Sequence, residues 1–238
     1  MTPNAKDRLI VALDLETVAD AEALVEALGD AVSFYKVGLV MQLAEGTDSF
    51  VRRLIAQGKR VFLDYKYYDV PETLRKAVTR AAGVGVSFLT IHGSSNLIQA
   101  AVGAKGNSDL KLFTVTVLTA MDQNDIREMG YTDHTVAELV GFRARKALEA
   151  GCDGVIASGQ EAETIKGLSG GKLLVITPGI RPDGYPEDDQ KRRTTAAMAI
   201  NAGADYLVVG RPITDAAEPR AAAEGFLREM QAAFDARA

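Results

Sequence analysis

The sequence holds a single cysteine, Cys152, and only two histidines, His92 and His134. One thiol cannot form an intramolecular disulfide, and three such side chains cannot make a zinc site of the usual kind. No stretch approaches the roughly 20 uninterrupted apolar residues of a membrane span, because Arg, Lys, Asp or Glu recurs too often. The opening residues Met1 to Asp7 lack the apolar run of a secretory signal, so a cytoplasmic protein without membrane association is expected. Basic excess is also missing. A net charge of −5 argues against nucleic acid as a partner but leaves room for a small anion held by a few local cations. Nor is there a glycine-rich dinucleotide fingerprint after the first apolar run, where Leu13-Asp14-Leu15-Glu16 stands instead.

What is present is apolar material in a regular rhythm. The chain has 238 residues, 47% hydrophobic and 25% charged, enough for one large core, and a single domain over residues 1–238 is expected. Short runs rich in Val, Ile, Leu and Phe predict strands at Leu9 to Leu13, Ser33 to Val37, Arg60 to Asp64, Ser87 to Ile91, Lys111 to Leu118, Gly154 to Ala157, Leu173 to Thr177 and Asp205 to Val209. Each is followed by a segment of helical period. Thr17 to Leu28, for instance, places Val18, Ala21, Leu24, Val25 and Leu28 on one stripe before the stop at Gly29. Strands this apolar, separated by helices, suit a parallel sheet buried on both faces. Eight such units predict a protein of the α/β class, a single-domain (β/α)₈ TIM barrel, with an open doubly wound sheet as the alternative. One connection breaks the rhythm: Pro178 to Arg193 has three prolines, two glycines, eight charged residues and no period, and loops of this length are often lids or binding loops.

In such barrels the active site is built at the C-terminal ends of the strands. The polar residues there are Asp14, Lys36, Asp64, Lys66, Asp69, His92, Thr119, Ser158, Arg181 and Arg211. The densest signal is Asp64-Tyr65-Lys66-Tyr67-Tyr68-Asp69-Val70-Pro71-Glu72-Thr73, where period-two geometry puts Asp64 and Lys66 on one face. Lys36 interrupts an apolar run, where a lone buried charge would be expensive, and Asp64 can be its partner. A structural ion-pair network, or a Lys36 that snorkels to solvent, is the plainer reading of any one of these residues. Lys36, Asp64, Lys66 and Asp69 converging on one mouth favour function, because buried ionic networks cost desolvation and rarely outperform packed apolar residues. After the seventh and eighth strands come Thr177-Pro178-Gly179-Ile180-Arg181-Pro182 and Val208-Val209-Gly210-Arg211-Pro212-Ile213-Thr214, the usual place for a phosphate site in these barrels. Either glycine alone could serve only a tight turn. Thr119 and Ser158 could contact a substrate or simply cap a helix or turn.

The run Asp-x-Lys-x-x-Asp-Val-Pro-x-Thr, the lysine of Tyr35-Lys36-Val37-Gly38, and the two loop runs just quoted together resemble the orotidine 5′-monophosphate decarboxylase family, in the family's order and over nearly the whole chain. The resemblance implies a cofactor-free enzyme that makes uridine 5′-monophosphate, as a homodimer with active sites at the interface. It implies Asp14 at the ribose, and an alternating charged network of Lys36, Asp64 and Lys66 completed by Asp69 of a second subunit. Lys66 would be the proton donor, Thr73 of the second subunit would reach the ribose end, and Thr119 would lie near the pyrimidine. Arg181, Gln190, Gly210 and Arg211 would hold the phosphate, with the long loop as a closing lid. Tyr65, Tyr67, Tyr68 and Glu72 depart from the family's usual leucine, apolar residue, histidine and asparagine. Two rival readings differ in chemistry. A sugar-phosphate decarboxylase or aldolase would keep Asp-x-Lys-x-x-Asp but use magnesium, and a phosphate-binding sensor would need no proton donor.

Overall fold

Each apolar run becomes a strand that pairs in parallel with its neighbours in the computed structural model, which describes residues 2–237. The first half of the chain contains β1 (Leu9–Ala12), α1 (Val18–Leu28), β2 (Phe34–Gly38), α2 (Thr47–Ala56), β3 (Arg60–Tyr67), α3 (Pro71–Val84), β4 (Phe88–Ile91) and α4 (Ser95–Ala104). There follow β5 (Lys111–Val115), α5 (Gln123–Glu128), α6 (Val136–Glu149), β6 (Gly154–Ile156), α7 (Ala162–Ser169), β7 (Leu174–Thr177) and α8 (Ala196–Asn201). The chain ends with β8 (Tyr206–Val209), α9 (Arg211–Thr214) and α10 (Pro219–Arg237). Because β8 pairs with β1, the sheet closes into an eight-stranded barrel, the (β/α)₈ architecture expected. None of the described helices is long and apolar enough to cross a membrane.

Closure divides the apolar residues into two sets by the period-two rule. One set, including Leu9, Val11, Val37, Leu63 and Val209, packs outward under the helices. The other points into the barrel and is dominated by Phe34, Phe62, Phe88, Phe113 and Tyr206. Phe88 is the hub of that layer, with ring centroids 4.9 Å from Phe34, 4.7 Å from Phe113 and 5.0 Å from Tyr206, tilted or edge-on. At the N-terminal ends of the strands the guanidinium of Arg60 stands 4.1 Å over the Phe34 ring and that of Arg8 stands 4.6 Å over Tyr206. Two residues along the same inward faces, the aromatic layer gives way to polar groups: Lys36 follows Phe34, Asp64 follows Phe62 and Thr90 follows Phe88. The floor of the mouth is therefore set by strand periodicity.

The strand ends lie within one residue of expectation except at two places, where the difference is three residues, and both of these shape the mouth. β5 ends at Val115 instead of running to Leu118, because the carbonyls of Thr116, Val117 and Leu118 accept bonds from the side chains of Arg143 and Arg192. β3 does not stop at Asp64 but continues to Tyr67 through an irregularity at which Lys66 takes a φ of 49°. The helix expected from Thr17 begins one residue later, with Thr17 as its cap: its Oγ1 accepts from the Asp20 N–H at 3.1 Å.

Phe88→Ala should destabilise the barrel by about 3–5 kcal/mol, since it removes the ring that several others pack on. Urea denaturation should show a lower midpoint with an unchanged slope. A loss within about 0.5 kcal/mol would contradict the aromatic layer as the inner core.

Candidate active site

Asp64 sits at the centre of the mouth with its side chain only 16% exposed. Lys66 Nζ lies 3.0 Å from its Oδ1 and Lys36 Nζ lies 3.7 Å from its Oδ2. Thr90, fully buried on β4, donates its hydroxyl to Asp64 Oδ1 at 2.8 Å and accepts the backbone N–H of Lys66 at 2.9 Å. That second bond holds Lys66 in its left-handed conformation, so the shared face of Asp64 and Lys66 arises from a bulge fixed by Thr90, and simple alternation does not produce it. Burial alone would raise the Asp64 pKa. The ammonium groups of Lys36 and Lys66 and the bonds from Lys66 and Thr90 outweigh burial and hold the carboxyl below its ordinary value.

Lys36 has a closer partner than the one expected. Its Nζ lies 2.8 and 3.0 Å from the two carboxylate oxygens of Asp14, so Asp64 is its second partner, and the reason is register. β1 and β2 pair with Ala12 opposite Lys36, which leaves Asp14 just beyond the strand end beside the ammonium. Gly38 leaves space for the pair, since a Cβ there would stand 2.6 Å from Asp14 Oδ1 and 2.8 Å from Lys36 Nζ. Asp69 does not join the network within its own chain. It is exposed between exposed Tyr68 and Val70, and among the described residues its Oδ1 accepts only the N–H of Val70, at 2.6 Å. Thr73 is likewise exposed, on the first turn of α3.

The long loop folds back over the strand ends. Asp188 binds Arg181 Nε at 2.7 Å and lies 3.4 Å from Arg211, which also pairs with Asp189. The Arg211 hydrogen bond holds the Asp189 carboxyl below its usual range. Gln190 Oε1 accepts the Thr119 hydroxyl at 2.5 Å, above Gly179, whose φ of 73° and lack of a side chain let the two approach. Lys191 lies 2.9 Å from both Asp122 and Asp125, and its hydrogen bond is the chief cause that lowers the Asp122 pKa to about 2. Gly210 opens the short helix α9 that carries Arg211. Arg181, Gln190, Gly210 and Arg211 thus lie along one chain of contacts or its root, while Ser158 serves the backbone, donating to Arg192 O at 2.9 Å.

The chain as a whole has relatives among known proteins. The family model described as Orotidine 5′-phosphate decarboxylase / HUMPS family matches residues 7–226. The chain belongs to this family. The orotidine 5′-phosphate decarboxylase of Nitrobacter winogradskyi is 54% identical over 226 residues, covering 95% of this chain and 93% of that protein. The one from Methylococcus capsulatus is 49% identical over 231 residues, covering 97% and 94%. The crystal structure of orotidine 5′-phosphate decarboxylase from Lactobacillus acidophilus matches with a TM-score of 0.82 at 34% identity, over 94% of this chain and 98% of that one. With relatives of this kind over nearly its whole length, the chain is an enzyme.

Cavity size does not single out this family member's site. Clefts of about 520 and 530 Å³ lie between α1 and α2 and between α6 and α7, far from the mouth charges. A smaller, largely apolar cavity of about 150 Å³ touches Lys66 and is lined by Tyr68, His92, Val117, Ile126 and Met129 among others. His92 stacks edge-on with Tyr68, its Nδ1 has no partner, and burial lowers its pKa. Among the described residues no group of three or more His, Cys, Asp or Glu side chains is disposed to hold a metal ion.

Because the folded Asp64 pKa lies below its usual 3.8, the folded state binds fewer protons, and its ion pairs stabilise fully above that value. The contribution drains as pH falls through the lower, folded pKa. Asp64→Asn should therefore cost about 3 kcal/mol at neutral pH by leaving two lysines uncompensated. The gap to the parent should narrow below about pH 4. Chemical denaturation across pH reads this out, and a gap that stays constant down to about pH 3 would mean Asp64 is not the charge the lysines lean on.

Proposed function

We propose that the chain decarboxylates orotidine 5′-monophosphate to uridine 5′-monophosphate in de novo pyrimidine biosynthesis, with no metal or organic cofactor, as one cytoplasmic catalytic domain over residues 1–238. The observation that carries this reading is the Lys66 ammonium held 3.0 Å from a desolvated Asp64 at the barrel mouth. Breaking the bond between ring carbon 6 and the carboxylate leaves an electron pair on carbon 6 that no enolate can absorb. A fixed ammonium favours that developing charge and then gives carbon 6 its proton, so carbon dioxide and the nucleotide are the products. Asp64, Thr90 and the bulge hold Lys66 in place before the substrate arrives. With the substrate bound, Asp64 would lie near the leaving carboxylate, and like-charge proximity would disfavour the ground state relative to the carbanion.

By family resemblance Asp14 and Thr73 serve the ribose, Thr119 the pyrimidine, and Arg181, Gln190, Gly210 and Arg211 the phosphate. Phosphate binding remote from carbon 6 then contributes to the transition state by fixing the loop closed. Asp69 completes the network from a second copy of the chain, in a homodimer with shared sites. Its exposure and its lack of an ion-pair partner among the described residues of its own chain support that reading.

Incubation with orotidine 5′-monophosphate should consume its ultraviolet absorbance, with and without a chelator. Lys66→Ala should lower kcat by about 10⁴-fold or more while nucleotide binding and the fold persist. Near-normal turnover in that variant would remove Lys66 from the proton-donor role, and activity lost to chelation and restored by magnesium would favour the sugar-phosphate rival.

Shared sites make a separate prediction. Lys66→Ala and Asp69→Ala chains, each inactive alone, form mixed dimers when co-expressed, and one site of each mixed dimer then combines intact Lys66 with intact Asp69. Random pairing should restore about a quarter of parental activity. No recovery, with mixed dimers confirmed by differential tags, would refute the shared site and leave the decarboxylase reading standing.

A further inference from the structure

Arg192 lies at the C-terminal root of the long loop and is 8% exposed. Its guanidinium donates to Glu161 Oε1 at 2.6 Å, to Val117 O at 2.9 Å, to Leu118 O at 3.0 Å and to Met121 O at 3.1 Å. Its own backbone N–H donates to Thr119 O at 3.0 Å, and its carbonyl accepts the Ser158 hydroxyl. One residue therefore binds the carbonyls of Val117, Leu118, Thr119 and Met121, the segment that turned away from the barrel at the end of β5. Two positions upstream, Gln190 takes the Thr119 hydroxyl. The Thr119–Gln190 contact thus spans two strands of chain whose spacing Arg192 sets from behind.

Glu161 is the second half of the device. It is 8% exposed, its Oε2 has no hydrogen-bond partner, and burial raises its pKa while Arg192 opposes the rise. A buried pair of this kind seldom improves stability over packed apolar residues, and an orphaned carboxylate oxygen adds cost. What the pair supplies is direction: Glu161, at the root of α7, turns a planar fork of donors toward the β5 segment.

We propose that Arg192, held by Glu161, is a positioning residue for the decarboxylation, fixing the distance across which Gln190 and Thr119 close the roof of the site. This rests on the reading of Gln190 as a phosphate-side group on the lid. Neither Arg192 nor Glu161 touches the substrate; both act through Gln190 and Thr119.

The test is a double-substitution cycle read with two substrates, orotidine 5′-monophosphate and orotidine, which lacks the phosphate. A lysine ammonium cannot reach all of these acceptors, so Arg192→Lys should lower kcat/KM for the nucleotide by about 30-fold and for orotidine by less than about threefold. In a Gln190→Ala background the same substitution should cost less than about threefold for the nucleotide, a coupling of about tenfold. A purely structural Arg192 would lower Tm and shift both substrates and both backgrounds by the same factor, and that result would overturn the proposal. If Gln190→Ala alone left nucleotide turnover unchanged, the lid reading would fail, and Arg192 would have nothing to position. Should Arg192→Lys not fold, Glu161→Gln keeps the side-chain shape and removes the charge. It should show the same coupling at about fivefold loss, and additive behaviour there overturns the proposal equally.

Discussion

The mouth of this barrel is organised around one carboxylate that the fold has withdrawn from water. Asp64 keeps its charge there only because two ammonium groups and a hydroxyl face it, and those three groups come from β2, β3 and β4. A desolvated charge tolerates little error in the placement of its partners, so the arrangement demands rigid supports. The supports are visible in the layer below, where Phe34, Phe62 and Phe88 occupy the inward positions two residues before Lys36, Asp64 and Thr90. Packing and electrostatics are stacked along the same strands, and neither layer can shift without the other.

Much of this was legible in the sequence, for physical reasons that also mark where legibility ends. Parallel strands covered on both faces read as apolar runs, so all eight strands were found and their order followed. Lys36, Asp64, Lys66 and Arg211 stood out because charges at strand ends are rare and dense there. Asp14 was also named, but its pairing with Lys36 was not, because the two are 22 positions apart and meet only through the β1–β2 register. Thr90 is a single hydroxyl inside Phe88-Leu89-Thr90-Ile91, and its one signal was a polar residue at an inward position of an apolar strand. Arg192 was hidden among the eight charges of the long loop, half of them exposed, and nothing local distinguishes the two that are buried, Arg181 and Arg192.

That loop joins contacts of two strengths. Exposed pairs such as Lys191 with Asp122, and Arg211 with Asp189, are screened by solvent, contribute little and yield readily to salt or to a competing anion. The buried contacts of Arg192 are of another kind, since freeing them would strand a guanidinium and a carboxylate away from water. The loop is consequently held by buried contacts at Arg192 and at the Arg181–Asp188 pair, and by exposed pairs alone at Asp189 and Lys191.

The aromatic layer and the two arginines beneath it also determine how matter moves through the molecule. With Phe88 and its neighbours filling the interior and Arg60 and Arg8 standing over the rings at the far end, the barrel is a cup and not a tube. Whatever enters must leave by the same rim, so under the proposed lid the loop that admits a ligand would also have to release it, and any gain from holding it shut would be matched by a slower discharge. Residence time inside is therefore written into the rim, where the restraints are exposed and easily tuned, and the interior can stay fixed.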